Sequence, residues 1–311
     1  MTSSPAVPRL TGLFVPLITP FLADGGVDAA ALRALACQVL DDGAAGLVAL
    51  GTTAEAATLT SAERHQVLQV CSTVCRDRSA ILIAGAGSND TTASAAALRE
   101  LASWPDVTAA LTVVPYYTRP GEAGVLAHFR GLAAASPVPL VIYHIPYRTG
   151  QPLTTAALLA LAALPGVAGV KHAPGGIDGD TVELIGSAPE TFAVLAGDDL
   201  VAPGMLGLGA PGAVMASAHV CTTAFAGLVR AWGAGDAVTA RPLGHRLAAL
   251  SAALFAEPNP AVIKAVLHEQ GRIATTDVRL PLLPASAEAT AVALARAAEA
   301  GRLAAEPAMS L

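Results

Sequence analysis

Of the 18 Lys and Arg residues in this 311-residue chain, only Lys171 and Lys264 are lysine. A guanidinium stays protonated under all ordinary conditions, whereas a lysine amine can lose its proton and act as a nucleophile. A chain that uses arginine for solvated charge and keeps lysine at two positions directs attention to those two. Lys171 closes the apolar run Val167-Ala168-Gly169-Val170-Lys171. Burial at such a strand end disfavours the ammonium and lowers the amine's pKa. That is the condition for attack on a carbonyl and formation of an imine. The plainer alternative is a lysine snorkelling from a strand end, or one paired with Asp198 or Asp199. Lys264, in Asn259-Pro260-Ala261-Val262-Ile263-Lys264, falls on a late helical pattern and reads as a peripheral, structural lysine.

The four tyrosines are as unevenly spread: Tyr116, Tyr117, Tyr143 and Tyr147 fall in two short segments. Imine formation moves protons to and from a carbinolamine oxygen, and a tyrosine–threonine–tyrosine chain can pass them. Tyr143 lies one strand before Lys171, within reach across a barrel; the alternative is an ordinary rim aromatic. Thr52 and Thr53, in Gly51-Thr52-Thr53-Ala54-Glu55, offer hydroxyls, and their backbone N–H groups could hold a carboxylate. A simple turn is the competing reading there.

These residues need a scaffold that gathers them. Eight short, nearly continuous apolar runs suit parallel strands buried on both faces: Gly12–Leu17, Gly46–Leu50, Ile81–Ala84, Ala110–Val114, Leu140–Tyr143, Ala168–Lys171, Ala193–Ala196 and Ala213–Ala216. Helical patterns separate them. One runs from Asp28 to Asp41, and another opens at Thr60 with Glu63 three residues on, a capping-box signature. Asp90, Thr155 and Thr222 are further candidate caps. Strand–helix alternation of this kind predicts a closed (β/α)₈ TIM barrel over residues 11–234. Beyond Ala234 the strand signal stops. Asp236–Phe255, Pro260–Gln270 and Ala285–Arg302 predict a three-helix extension, 235–311, packed on the barrel. Active sites of such barrels form at the C-terminal strand ends, where Gly51–Glu55, Pro115–Tyr117, Tyr143, Lys171 and Gly197-Asp198-Asp199 all fall.

Composition excludes several classes. The net charge is −6 with no basic run, which argues against nucleic acid as a partner. No apolar run reaches the ~18–20 residues of a membrane span, and MTSSPAVPRL has no basic segment before an apolar core. The expectation is a soluble, cytoplasmic protein. Cys37, Cys71, Cys75 and Cys221 lie in apolar helical stretches without a ligand cluster, so free thiols and no metal are expected. No GxGxxG follows the first strand and no Walker sequence occurs. Gly207, Gly209 and Gly212 could grip a phosphate but more simply make a helix-to-strand turn.

Taken together, GTTAE at Gly51–Glu55, PYYTRP at Pro115–Pro120, YHIPYRTG at Tyr143–Gly150, GVKHAPG at Gly169–Gly175 and GDD at Gly197–Asp199 are ordered as in a known group. The chain resembles the dihydrodipicolinate synthase/N-acetylneuraminate lyase family of class I aldolases over nearly its whole length. The resemblance implies an imine between Lys171 and the keto carbon of pyruvate or another 2-oxo acid, with no cofactor beyond it. It implies that Tyr143 transfers protons, that Thr52 relays them, and that Thr53, beside Gly51, holds the pyruvate carboxylate. Val214 would present a backbone carbonyl to the site. Tyr117 would reach into a neighbouring subunit's site, implying a homodimer or homotetramer. Arg148 would receive the carboxylate of an aldehyde acceptor.

Five departures mark the chain. Ala54 replaces a glycine of the loop, His144 stands where Asn is usual, Tyr147 replaces a small residue, His172 follows the lysine where the synthases carry Glu, and Pro174 stands where they carry Ser or Thr. The imine machinery matches while the second-substrate pocket is altered. A synthase-like condensation of pyruvate with an aldehyde therefore leads. A sugar-acid aldolase or dehydratase, or an N-acetylneuraminate lyase-like enzyme, is the alternative, and a silent 2-oxo-acid-binding paralogue is a third. Lysine-regulated members bind the amino acid between paired subunits through a glutamate and polar or histidine groups. Here Ala93 and Ser61 occupy those positions near Asn89 and Asp90, so insensitivity to lysine is expected.

Overall fold

The computed structural model describes residues 9–305, and their side chains as far as 301. The readings above that concern the first eight residues and 306–311 lie outside the described residues. Eight strands form one closed parallel barrel in sequence order: β1 (Gly12–Pro16), β2 (Gly46–Ala49), β3 (Ile81–Gly85), β4 (Ala109–Val113), β5 (Leu140–His144), β6 (Val167–His172), β7 (Ala193–Ala196) and β8 (Gly212–Val214). Each predicted run matches its strand to within two residues at either end. The barrel closes through β1–β8 pairing, Gly12 opposite Gly212. A Cβ on Gly212 would lie 2.3 Å from the Gly12 carbonyl oxygen, so only glycine permits this approach.

Alternation along the strands builds two cores. Phe14, Val48, Ile83, Val141 and Leu195 fill the lumen. Leu13, Val15, Leu47, Ala49 and Ile142 face outward beneath the helices. This double burial is why the strands read as unbroken apolar runs.

The helix Ser61–Asp77 opens with the expected capping box: Thr60 and Glu63 exchange side-chain-to-backbone hydrogen bonds. Asp90 caps Thr91–Glu100 as expected. Two predicted caps are displaced by one residue. Thr154, not Thr155, caps Thr155–Ala162, and Thr155 instead bonds the Asp180 carbonyl across to the next helix. Cys221 precedes Thr222–Gly233 without a capping bond, and the Thr222 hydroxyl donates to the Ala218 carbonyl.

The C-terminal segment is helical over Ala237–Leu254, Ala261–Glu269 and Ala287–Ala305. The reading of Lys264 as a peripheral lysine is overturned. Its helix is buried on every side, with Val262, Ile263, Val266 and Leu267 fully enclosed, and Lys264 itself is 0% exposed. It forms an ion pair with Glu55.

Candidate active site

Along β5 and β6, Tyr143 lies opposite Lys171 and His144 opposite His172. The face on which Lys171 emerges depends on an irregularity. Leu140 pairs with Val167, but Val141 pairs with Gly169, leaving Ala168 as an extra residue in β6. Such a bulge changes which residues face which side. Ala168 packs in the lumen and Val170 beneath the helices, so Lys171 returns to the lumen. Strict alternation from Ala168 would have turned it outward.

Lys171 is only 7% exposed, and its Nζ sits 4.3 Å from the centre of the Tyr143 ring. Among the described residues no carboxylate lies within 4.0 Å of Nζ, so the alternative of an ion pair with Asp198 or Asp199 is not met. Gly197 makes room for the lysine: a Cβ there would lie 2.6 Å from Lys171 Cγ. Asp199 instead accepts a 2.6 Å hydrogen bond from the Ser217 amide, and burial pushes its carboxyl up to about 6.

A cavity of about 440 Å³ opens above Lys171, walled by Thr52, Thr53, Tyr143, Tyr147, Arg148, Asp198 and Phe255, among others. A second of about 680 Å³ shares Thr52, Tyr143 and Arg148 with it and is also lined by Gly51 and Tyr116. Five of the eight expected site residues thus wall one space: Lys171, Tyr143, Thr52, Thr53 and Arg148. Gly51 borders the adjoining space. At β8 the wall is formed by Ala216, whereas Val214 keeps its side chain in the lumen core. Tyr117 lines neither cavity; it is 89% exposed, with a left-handed φ of 67°. Its amide donates to the Thr149 carbonyl, which ties its loop to the short helix Pro146–Thr149 that bears Arg148.

The Gly51–Glu55 loop forms a single 3₁₀ turn, Thr52–Ala54. Its backbone amides at Thr52 and Thr53 have no hydrogen-bond partner among the described residues, which leaves two donors for an anion. The left-handed residues are Leu50 and Glu55, at φ 56° and 54°. Four hydrogen bonds hold this strained loop. Thr19 donates to the Ala54 carbonyl, Asn259 Nδ2 donates to Thr53 Oγ1 at 2.9 Å, and Glu55 accepts from Lys264 Nζ at 2.6 Å and from the Arg279 amide at 2.7 Å. Asn259 and Phe255 were missed from the sequence. An Asn-Pro pair signals a turn, and nothing local ties it to a loop some two hundred residues earlier.

The sequence matches the dihydrodipicolinate synthetase family over residues 9–300. It is 39% identical to a 4-hydroxy-tetrahydrodipicolinate synthase from Leptothrix cholodnii, covering 94% of this chain and 99% of that one. The chain belongs to the dihydrodipicolinate synthetase family. A synthase of the same name from Neisseria meningitidis serogroup B is also 39% identical, over 88% of this chain and 93% of its own. Among solved structures, the chloride-inhibited dihydrodipicolinate synthase from Acinetobacter baumannii, complexed with pyruvate, superposes with TM-score 0.89 at 34% identity, covering 94% of this chain and 99% of that one. The enzyme from Cyanidioschyzon merolae with lysine bound gives TM-score 0.88 at 31% identity, covering 94% and 98%.

Within the dihydrodipicolinate synthetase family, the departures noted above now have positions. Ala54 is not a left-handed residue, so replacing glycine there adds no backbone strain. Tyr147 is 67% exposed and stacks under Arg148, whose guanidinium carbon is 5.0 Å from the ring centre. His144 and His172 lie on the outer faces of their strands, buried and hydrogen-bonded to each other.

Proposed function

We propose that this chain is an aldolase-type lyase most like 4-hydroxy-tetrahydrodipicolinate synthase, condensing pyruvate with an aldehyde through an imine on Lys171. The observation that carries the reading is a buried lysine with, among the described residues, no carboxylate beside it, facing a tyrosine in a cavity with two backbone amides that have no partner there. The Thr52 and Thr53 amides hold the pyruvate carboxylate, which sets the keto carbon against Nζ. The amine adds to that carbon, the carbinolamine oxygen takes a proton and leaves as water, and the imine results. Loss of a proton from the neighbouring carbon gives an enamine, whose carbon attacks the aldehyde while the new alkoxide takes a proton. The Tyr143 hydroxyl serves these transfers with Thr52 as relay. Arg148 holds a carboxylate of the acceptor.

Residues 11–234 serve as the catalytic unit, and 235–311 as its buttress, through Asn259 and Lys264. Exposed Tyr117 is suited to completing a second copy's site, so we infer a homodimer or homotetramer working in the cytoplasm. No helix among the described residues is long and apolar enough to cross a membrane. Borohydride reduction in the presence of pyruvate tests the chemistry. One reduced pyruvyl group is expected, mapping to Lys171; an adduct on Lys264, or none with any 2-oxo acid, overturns the reading.

A further inference from the structure

Directly behind the Tyr143–Lys171 pair runs a continuous hydrogen-bond chain, buried except at its Asp178 end, that the imine chemistry does not use. The Leu153 amide meets His144 Nε2 at 3.1 Å, His144 Nδ1 meets His172 Nδ1 at 3.1 Å, and His172 Nε2 meets Thr181 Oγ1 at 3.2 Å. Thr181 Oγ1 donates onward to Asp178 Oδ1 at 2.8 Å. The direction of every bond follows from one end. A backbone N–H can only donate, so His144 Nε2 is an acceptor and its proton sits on Nδ1. That proton points at His172 Nδ1, which must accept, leaving the His172 proton on Nε2 for the threonine. The threonine proton then goes to the carboxylate. Both rings are buried, and burial lowers His144 to about 3 and His172 to about 4, so each is neutral and the pattern is consistent throughout.

What the chain joins gives it a role. His144 is the last residue of β5, and Leu153 lies nine residues on; the segment between them carries Tyr147 and Arg148. The His144 ring therefore closes the base of the Arg148 loop. His172 is the last residue of β6, one after Lys171, and its carbonyl accepts from the Gly197 amide. The His144 carbonyl accepts from the Ala173 amide. Asp178 and Thr181 begin the helix Gly179–Ser187 that returns over β6. We propose that His144 and His172 are positioning residues that lock the Arg148 loop to the strand end bearing Lys171, fixing the acceptor subsite against the imine. The two histidines belong together: the tautomer that the Leu153 amide imposes on His144 sets which nitrogen of His172 must accept.

This inference rests on the proposed condensation, but its hydrogen-exchange readout does not. An Asn amide overlays Nδ1 of histidine, and a Gln amide overlays Nε2. His144→Gln should keep the Leu153 contact and lose the cross-strand one, His144→Asn the reverse, and His144→Phe lose both while retaining a ring. With His144→Phe, the expected result is a rise of about tenfold or more in KM for the aldehyde, from two buried polar groups left unpaired. KM for pyruvate and the yield of borohydride-trapped Lys171 adduct should change less than twofold. Hydrogen exchange should show peptide 145–153 losing protection in His144→Phe and His144→Asn and keeping it in His144→Gln. If His144→Phe does not fold, the Asn and Gln variants carry the comparison. Unchanged aldehyde KM, or unchanged protection of 145–153, overturns the proposal, as does an equal loss in pyruvate trapping. A wild-type protein that traps pyruvate on no residue would instead fail the functional reading, while the exchange experiment would still judge the loop lock.

Discussion

The chain's two lysines are both buried, and their surroundings differ in one respect that decides what each can do. Lys264 is sealed inside the helix Ala261–Glu269, and its ammonium meets the Glu55 carboxylate at 2.6 Å and the Asp277 carbonyl at 2.7 Å. The aromatic face of Phe21 lies 4.0 Å away. Burial draws its pKa down to about 8, and the carboxylate opposes that fall. Lys171 has an aromatic face at similar distance, Tyr143 at 4.3 Å, but no counter-ion within ion-pair range among the described residues, and it opens onto a cavity. Burial alone therefore does not make a lysine a nucleophile; burial without a carboxylate, beside a space for a carbonyl, does. A buried ion pair is a fixture, because removing either partner strands the other's charge.

The strongest test of this contrast is Lys171→Arg. A guanidinium keeps the charge and cannot form an imine, so turnover should be abolished while circular dichroism and Tm stay near wild type. Residual turnover with pyruvate trapped elsewhere would break the contrast at its root. Next in size is Tyr143→Phe, which keeps the ring over Nζ and removes the hydroxyl. A positioned proton-transfer group accounts for roughly 10²–10⁴ in rate. We expect kcat to fall by that order with the Lys171 adduct still trapped on longer incubation. Near-wild-type kcat would mean that the ring, not the hydroxyl, is what Tyr143 contributes.

Lys264→Met should act on stability instead. Leaving Glu55 buried and unpaired costs about 3–5 kcal/mol, read as a lower denaturant midpoint. Because Glu55 ends the strained Gly51–Glu55 loop, KM for pyruvate should rise with it. The double variant Lys264→Met/Glu55→Gln, which removes the stranded charge, should recover part of the loss. No recovery would show that the pair is not what holds the loop.

How far this contrast was legible in the sequence depends on the range of the contacts. Lysine rarity and the apolar strand before it pointed to Lys171, and clustered tyrosines pointed to Tyr143, because strand ends converge on one rim in any (β/α)₈ barrel. The bulge at Ala168 was invisible, since nothing in Val167–Lys171 says which residue will go unpaired. Lys264 was misread because its partners, Glu55 and the Asp277 carbonyl, are set by how the C-terminal helices close over the loop. Asn259 was missed for the same reason. His144 and His172 stood out as departures, but only the β5–β6 register puts them side by side.

The same electrostatic logic applies to buried bases. His144 and His172 are neutral in the folded protein, with burial lowering them to about 3 and about 4 against the opposing pull of Asp178 on both and Asp180 on His172. An unfolded histidine takes a proton near 6.5. Between about 6.5 and those lowered values the unfolded chain binds protons that the folded one does not. Stability is thus full above about pH 6.5 and declines as pH falls through that window. The fully buried His219, lowered to about 4, adds to the slope. Tm should fall between pH 6.5 and 4, and His144→Asn/His172→Gln should flatten the fall without removing it. An unchanged slope would assign the acid sensitivity elsewhere.

The smallest expected effect concerns a lysine that is not part of the chain. Free lysine, entering a cleft beside the helix Thr91–Glu100, would bring an ammonium that needs what Lys264 has, a carboxylate. Ala93 supplies none, and exposed Ser61 offers only a hydroxyl. Asn89 Oδ1 already accepts from the Tyr116 amide at 3.0 Å. Asp90 is the remaining anion nearby, and its Oδ1 is engaged as the helix cap, accepting from Thr92 and Ala93 amides at 2.7 and 3.2 Å. An ammonium there would lose water without compensation. Titrating lysine into the condensation assay, alongside calorimetry on the free protein, should show neither inhibition nor heat of binding. Saturable inhibition at sub-millimolar lysine would mean that Asp90 leaves its cap to serve as counter-ion. Ala93→Glu sharpens the point: if a missing carboxylate is the reason for insensitivity, restoring one on the same helix turn should create measurable lysine binding, and Asp90→Asn in the parent protein should change nothing but the stability of that helix.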